Sequence, residues 1–457
     1  MNEAERARLQ HGLAARQRHD MEAALSAIAD AATLAPDDAG IAFAHAQISF
    51  ETWRTAVPLY SRAYGLDPSN LQLSRALALA MAAEGRADEG EALLASRLAI
   101  NPDWVEGHQA LTSLRVTAGH GADAAQSFAD ACKARPDNMA LRLAWFHIMA
   151  TARNWDAART IIADGVAHLG QTRALTVAQI FLASESDEAS RDLRLFNPVA
   201  DMNDPGLDLC QTRFWLRNGQ PDKAETIAAR HVSTPAARTF WPYLSLAWRL
   251  QEDERANWLD GGARYIRPFD LDIPASQLQA LADTLRTLHT LKAPYLEQSV
   301  RGGTQTDRHL FFNPDPAIQN IKQRLSKAVD TYVADLPLQE EGHPLLGTKR
   351  TGIIYEGSWS VRLMAQGFHS IHTHNRGWLS SALYVALPAP CKMGVEPAGW
   401  ISFGAPPPEL RLSLTACQQV EPKAGRLVLF PSTTWHGTMP FDDGERLTIA
   451  FDVRLPM

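Results

Sequence analysis

Cysteine is scarce in this chain. Cys132, Cys210, Cys391 and Cys417 are the only four in 457 residues. They form no close pairs, which excludes a disulfide framework and a cysteine zinc site and makes a reducing cytoplasm the expected compartment. Long apolar runs are missing too. No stretch reaches the roughly 18 residues needed to cross a bilayer, so no membrane partner is expected. The start, Met1-Asn2-Glu3-Ala4-Glu5-Arg6, is charged and runs straight into a helical pattern, without the apolar core of a secretory leader. Excess positive charge is absent as well. A net charge of -7 speaks against a nucleic-acid partner, which would usually meet a basic face.

What is present divides the chain in two. Pro36, Pro68, Pro102 and Pro136 are spaced 32, 34 and 34 residues apart, and Asp or Ser follows each. A proline in that setting ends one helix and prepares the next. Twelve residues before the prolines stand Ala24, Ala56, Gly90 and Ala124, all small. Eight before stand Ile28, Tyr60, Leu94 and Phe128, all bulky and apolar; five before stand Ala31, Ala63, Arg97 and Ala131. Small residues let two helices approach closely, and the large one fills the gap between neighbouring pairs. The register continues at Ala158, Gly165 and Gly170, then at Pro221 and Ala224, with a degenerate stretch between. This period and pattern resemble the tetratricopeptide repeat, whose stacked helix pairs form a solenoid with a concave face for peptides or partners. Such an array also serves as a rigid spacer or a dimer surface, and a homodimer is one expectation.

Around residues 258–272 the helical period fades. A helix is expected at about 276–291, capped near Ser276, and an amphipathic one at about 316–336. Between them, Gln298 to Thr306 is dense in glycine and polar residues. It reads either as a turn between helices or as a site lining to which Arg301 contributes. It is no phosphate loop, because the Gly-Lys-Ser/Thr ending is missing.

From about residue 352 the period becomes two. Short alternating segments such as Ala382 to Leu387, Arg426 to Phe430 and Leu447 to Val453 are separated by turn residues, which predicts an all-β barrel or sandwich. His372 and His374 are two apart, so on a strand both face one side. His436 follows the strand ending at Phe430 and Pro431, and barrel closure can bring it beside them. Neutral imidazole is a good ligand for iron, zinc, copper or nickel. Arg446 lies on the next strand, its fork of donors suited to a carboxylate, with Thr448 pointing the same way.

These residues resemble the double-stranded β-helix (jelly-roll) oxygenases that use Fe(II) and 2-oxoglutarate. More narrowly, the chain resembles a bacterial group that joins tetratricopeptide repeats to this barrel. The likeness covers roughly residues 280–457. It rests on Gln298 to Thr306, His372 to Ser381, Gly425 to Pro431, Trp435 to Thr438 and Glu445 to Asp452. It implies Fe(II), 2-oxoglutarate and dioxygen as cofactors, His372, His374 and His436 on the metal, and Arg446, Thr448 and Tyr384 on the cosubstrate. Arg301, Trp378 and Trp435 are the candidates for substrate contact, the tryptophans having barrel core as their alternative role. One position departs from the prolyl-hydroxylase pattern, which has His-x-Asp where this chain has His372-Thr373-His374. A facial triad normally supplies one carboxylate. The metal is therefore held by three histidines, or by His372 and His436 with water or a distant carboxylate such as Glu396.

The expected architecture is multidomain α + β: a repeat solenoid over 1–260, a linker and helix over 261–296, and the oxygenase-like barrel over 297–457. The expected activity is hydroxylation of a peptide or protein presented by the repeats. The residues leave two other readings open. One is a non-catalytic repeat scaffold with a degenerate barrel. The other is a cupin-like metalloenzyme that does not use 2-oxoglutarate, against which Arg446 and Thr448 argue.

Overall fold

The computed structural model describes residues 3–186 and 192–455. The chain forms two compact units: Met1–Ala144 with Thr290–Tyr295 and Asp307–Gln319, and Trp145–His289 with Leu296–Thr306 and Asn320–Met457.

The first unit is a stack of antiparallel helix pairs, as the proline period predicts. Each proline falls between helices: Met21–Leu34 precedes Ala39–Glu51, Val57–Leu66 precedes Leu71–Ala83, and Ala87–Ile100 precedes Val105–Thr117. Two residues after Pro36, Pro68 and Pro136 a polar side chain starts the following helix, whereas Trp104 after Pro102 makes no such cap. Asp38 accepts from Ile41 N at 3.0 Å, Asn70 from Gln72 N at 3.0 Å and Asn138 from Leu141 N at 3.1 Å. The small positions are closed: Ala24, Ala56, Ala31 and Ala63 have no exposed surface, and Ile28, Leu94 and Phe128 fill the gaps they leave. Gly90 shows how tight the approach is. A Cβ there would lie 2.6 Å from the Ala78 carbonyl oxygen on the partner helix. Within the same unit the Asp307–Gln319 segment is pinned to the repeats. The Trp53 indole donates to the His309 carbonyl at 3.0 Å, and the Arg308 guanidinium lies 3.9 Å from the Trp53 ring centre.

The second unit carries the later helices, among them Trp155–Leu169, Pro205–Arg217, Pro221–Ala228 and Ala237–Leu250, and all the described strands. Ala158 and Ala224 keep the small-residue role and are fully buried. The degenerate stretch includes 187–191, which lie outside the described residues. The strands are β1 (Arg267–Asp270), β2 (Val300–Gln305), β3 (Tyr355–His369), β4 (Gly377–Ala386), β5 (Ile401–Phe403), β6 (Gln418–Val420), β7 (Arg426–Pro431), β8 (His436–Thr438) and β9 (Arg446–Arg454). They build two antiparallel sheets, ordered β1-β7-β4-β9-β3-β2 and β6-β5-β8. Tyr384, Val428 and Phe430 of the larger sheet pack on Ile401, Phe403 and Val420 of the smaller. That core between two sheets is the double-stranded β-helix arrangement.

Two local expectations are corrected. The helix Ala275–Leu288 begins at Pro274, which provides no side-chain cap, so Ser276 sits inside the first turn. Gln298, Ser299 and Gln305 of the glycine-threonine stretch line a cavity, and the stretch is not a turn between helices. It forms the edge strand β2, with a bulge between Arg301 and Gly303. Gly302 takes φ 71°, and a Cβ on Gly303 would meet the Arg362 carbonyl at 2.2 Å. Among the described residues no helix is long and apolar enough to cross a membrane.

The Gly90 contact yields a paired prediction. Gly90→Ala should destabilise the protein by about 1–3 kcal/mol through overpacking. Gly65→Ala, in a helix with open space around it, should stabilise it by up to about 1 kcal/mol. Denaturant unfolding of both variants checks the opposite signs.

Candidate metal centre

The centre is assembled by a short backbone pairing outside the main ladders. His372 N donates to the His436 carbonyl at 2.9 Å, and His436 N donates to the His372 carbonyl at 3.0 Å. His374 N then donates to the Ser432 carbonyl at 2.9 Å. The segment after β3 is thereby laid along β8. The rings of His372 and His436 come within 4.3 Å, centre to centre, and His374 lies 5.0 Å from His372 and 5.1 Å from His436.

Each ring has one nitrogen already engaged. His372 Nδ1 lies 2.8 Å from the Ser370 carbonyl, and His436 Nδ1 lies 3.0 Å from the Thr434 carbonyl. A carbonyl only accepts, so both Nδ1 atoms carry the proton and both Nε2 atoms present a lone pair. His374 Nδ1 lies 2.7 Å from each carboxylate oxygen of Asp452, which assigns it the same tautomer. One ligand atom from each of His372, His374 and His436 can be chosen so that all lie within 4.8 Å of one another, a spacing one metal ion can span.

Burial sets the charge state. It drives the pKa of His372 down to about 3, with the neighbouring His374 adding to the effect. His436 is likewise held well below the usual histidine range, first by burial and then by His372. His374 goes the other way: burial opposes its proton, but the charge and hydrogen bond of Asp452 outweigh it. Arg238, on the helix Ala237–Leu250, also feels the Asp452 carboxylate, although burial lowers its own pKa to about 10.

The three nitrogens open into a cavity of about 370 Å³. Alternate residues of β9, Arg446, Thr448, Ala450 and Asp452, line it, together with Trp359, His369, Asn375 and Arg376. Arg446 is 2% exposed. Its Nη1 donates to the Gly399 carbonyl at 2.8 Å, while its Nε is buried without a partner. Tyr384 pairs with Thr448 across β4 and β9, its ring centre is 5.0 Å from the Arg446 guanidinium, and its hydroxyl is also buried and unpaired. Two orphaned donors beside a buried cation fit an incoming carboxylate, because leaving them unmade is costly.

The structure brings together six of the expected residues: His372, His374, His436, Arg446, Thr448 and Tyr384. Three others lie elsewhere. Trp378 is fully buried core, its indole donating to the Leu345 carbonyl at 3.0 Å. Trp435 packs in an apolar cluster with Leu216, Tyr243 and Leu410, its indole donating to the Pro242 carbonyl at 3.0 Å. Large aromatic rings beside a site motif serve the barrel's packing here rather than its mouth. Arg301 spends its Nη1 on the Gln298 and Val300 carbonyls, at 2.7 and 2.8 Å, and does not line the cavity. Glu396 is exposed and does not line the cavity. Asp452 was missed as a site residue. Its signal was available, since it is the fourth alternate position from Arg446 on one strand.

The chain carries a domain of one family and repeats of another. Residues 357–452 match the family described as "Putative 2OG-Fe(II) oxygenase", and residues 48–114 match the tetratricopeptide repeat. No curated protein matches the chain. Among solved structures, it is similar to a collagen prolyl hydroxylase of Paramecium bursaria Chlorella virus-1, with 12% identity over 42% of this chain and 97% of that one, TM-score 0.30. A prolyl-4-hydroxylase of Pseudomonas putida shares 16% identity over 44% of this chain and 98% of that one, TM-score 0.29. A tetratricopeptide repeat protein of Parabacteroides merdae shares 13% over 55% and 98%, TM-score 0.33. Likenesses this remote carry no weight for function.

The geometry separates ligands from bystanders. His372→Ala and His436→Ala should each weaken divalent-metal binding by at least about 100-fold, while Glu396→Ala should leave it unchanged. Equilibrium titration of the metal-free protein with Co(II) distinguishes the three variants.

Proposed function

We propose that this protein is an Fe(II)- and 2-oxoglutarate-dependent oxygenase that hydroxylates its substrate. The observation that carries the reading is the pairing of two features in one barrel. Three imidazole nitrogens converge at one place, and the orphaned donors of Arg446 and Tyr384 lie in the same barrel core. Either alone is ordinary; together they suit a metal and a dicarboxylate bound at once. When bound, the metal and 2-oxoglutarate supply oxidation of the substrate C–H bond by dioxygen, coupled to decarboxylation of the cosubstrate to succinate.

The protein's own part is binding and exclusion. His372, His374 and His436 hold the ion through Nε2. Arg446 takes the far carboxylate of 2-oxoglutarate, with Thr448 and the Tyr384 hydroxyl as neutral donors beside it. Burial of these groups keeps water away from the reacting atoms and strengthens each polar contact. The substrate we propose is a peptide or protein segment presented by the helical repeats, because stacked helix pairs expose a continuous concave face. A cytoplasmic location accords with the scarcity of cysteine, four in the chain and none close in sequence to another.

Anaerobic addition of Fe(II) and 2-oxoglutarate should give a weak visible charge-transfer band. Arg446→Met should raise the Kd for 2-oxoglutarate about 10–100-fold, the worth of a charge-assisted contact, and leave Fe(II) affinity intact. Absence of the band, with no uncoupled succinate formed in air, would reject the assignment. Peptide substrates are checked by the mass gain of one oxygen.

A further inference from the structure

We propose that Asp452 supplies, one imidazole further out, the negative charge and the orientation that a carboxylate ligand would supply at position 374. This rests on the reading of His372, His374 and His436 as a metal site, but not on the identity of the cosubstrate.

A divalent ion held by three neutral imidazoles keeps its full charge, whereas a facial triad offsets part of it with a carboxylate. Among the described residues, the cluster of potential ligand atoms here contains no carboxylate. The nearest arrangement that restores one is Asp452 behind His374. Both of its oxygens lie 2.7 Å from Nδ1, the ring nitrogen facing away from the shared ligand position. A carboxylate bonded to that N–H raises the basicity of the other nitrogen and locks the ring's rotation.

Asp452 is itself held in place. The register of β4 on β9 sets it opposite Ser380. Ser380, fully buried, donates its hydroxyl hydrogen to Asp452 Oδ1 at 2.7 Å. That hydrogen being spent, Ser432 is the donor in the 2.8 Å contact between the two serine hydroxyls. The result is a directed chain from Ser432 to Ser380 to Asp452, with His374 donating from the other side. Gly377 packs closely beside this chain, where no larger residue would fit. A Cβ on Gly377 would lie 3.2 Å from the Asp452 Cβ and 2.4 Å from the Ser432 hydroxyl. Asp452 is thus a positioning residue, acting on the metal only through His374.

The test is a double-mutant cycle read as Co(II) affinity, by competition with a chelator in the full-length protein without cosubstrate. Asp452→Asn should weaken Co(II) binding about 10–100-fold and shift the visible spectrum of the bound ion. His374→Asp moves the carboxylate onto the metal and sets two acids side by side. In that background Asp452→Asn should leave the affinity unchanged or improve it, because it removes a repulsion. The reversal is what a purely structural role of Asp452 does not produce. Equal losses in both backgrounds would overturn the proposal, as would wild-type affinity in the single variant. If Asp452→Asn does not fold, Ser380→Ala becomes the decisive variant. It keeps the charge and frees the carboxylate, and should weaken Co(II) binding several-fold; unchanged affinity there would overturn the proposal. If the wild type itself shows no saturable Co(II) binding, the metal site fails along with the relay.

Discussion

The reciprocal hydrogen bonds between His372 and His436 are the constraint on which the centre depends. They pin an irregular segment to the edge of the smaller sheet and bring two rings within 4.3 Å. Everything else in the site is placed relative to that clamp. β9 brings Arg446, Thr448 and Asp452 in by strand alternation, and β4 brings Tyr384 and Ser380 opposite them in register. A one-residue slip of β9 would turn all three inward residues to the other face. The buried Val and Leu residues that hold the ladder are therefore as important to the chemistry as the ligands.

Burial does the electrostatic work. It keeps His372 and His436 neutral and their Nε2 lone pairs available, and it leaves the Arg446 Nε unsatisfied. The same burial lowers the pKa of His374, but the charge and hydrogen bond of Asp452 more than offset it. One low-dielectric pocket thus treats three identical side chains differently, and what stands behind each Nδ1, a carbonyl for two and a carboxylate for the third, contributes to the difference.

The helical repeats follow a different physics. Their helices pack through small residues, and closeness rather than charge sets the geometry. Within the second unit, a helix is tied to the barrel by hydrogen bonds. The Trp435 indole donates to the Pro242 carbonyl, and Arg249 reaches the carbonyls of Gly404 and Thr415. The residue just before His436 is thus anchored on the helix Ala237–Leu250, which ties the ligand strand to that helix. This explains why Trp435, beside a ligand, serves packing and not substrate.

Local chemistry was legible in the chain itself. Proline spacing and small residues expose helix pairs because close packing leaves a periodic trace. Alternation reveals strands because side chains on a pleat face opposite ways. His-x-His and the later His436 and Arg446 stand out because few structural roles need them together. The fate of Trp378, Trp435 and Arg301, the bulge that Gly302 and Gly303 permit, and the place of Asp452 behind His374 were decided only by tertiary structure. Each depends on which strand lies beside which and in what register. That pairing is set by the burial of the whole core, a sum over many distant residues that no local pattern encodes.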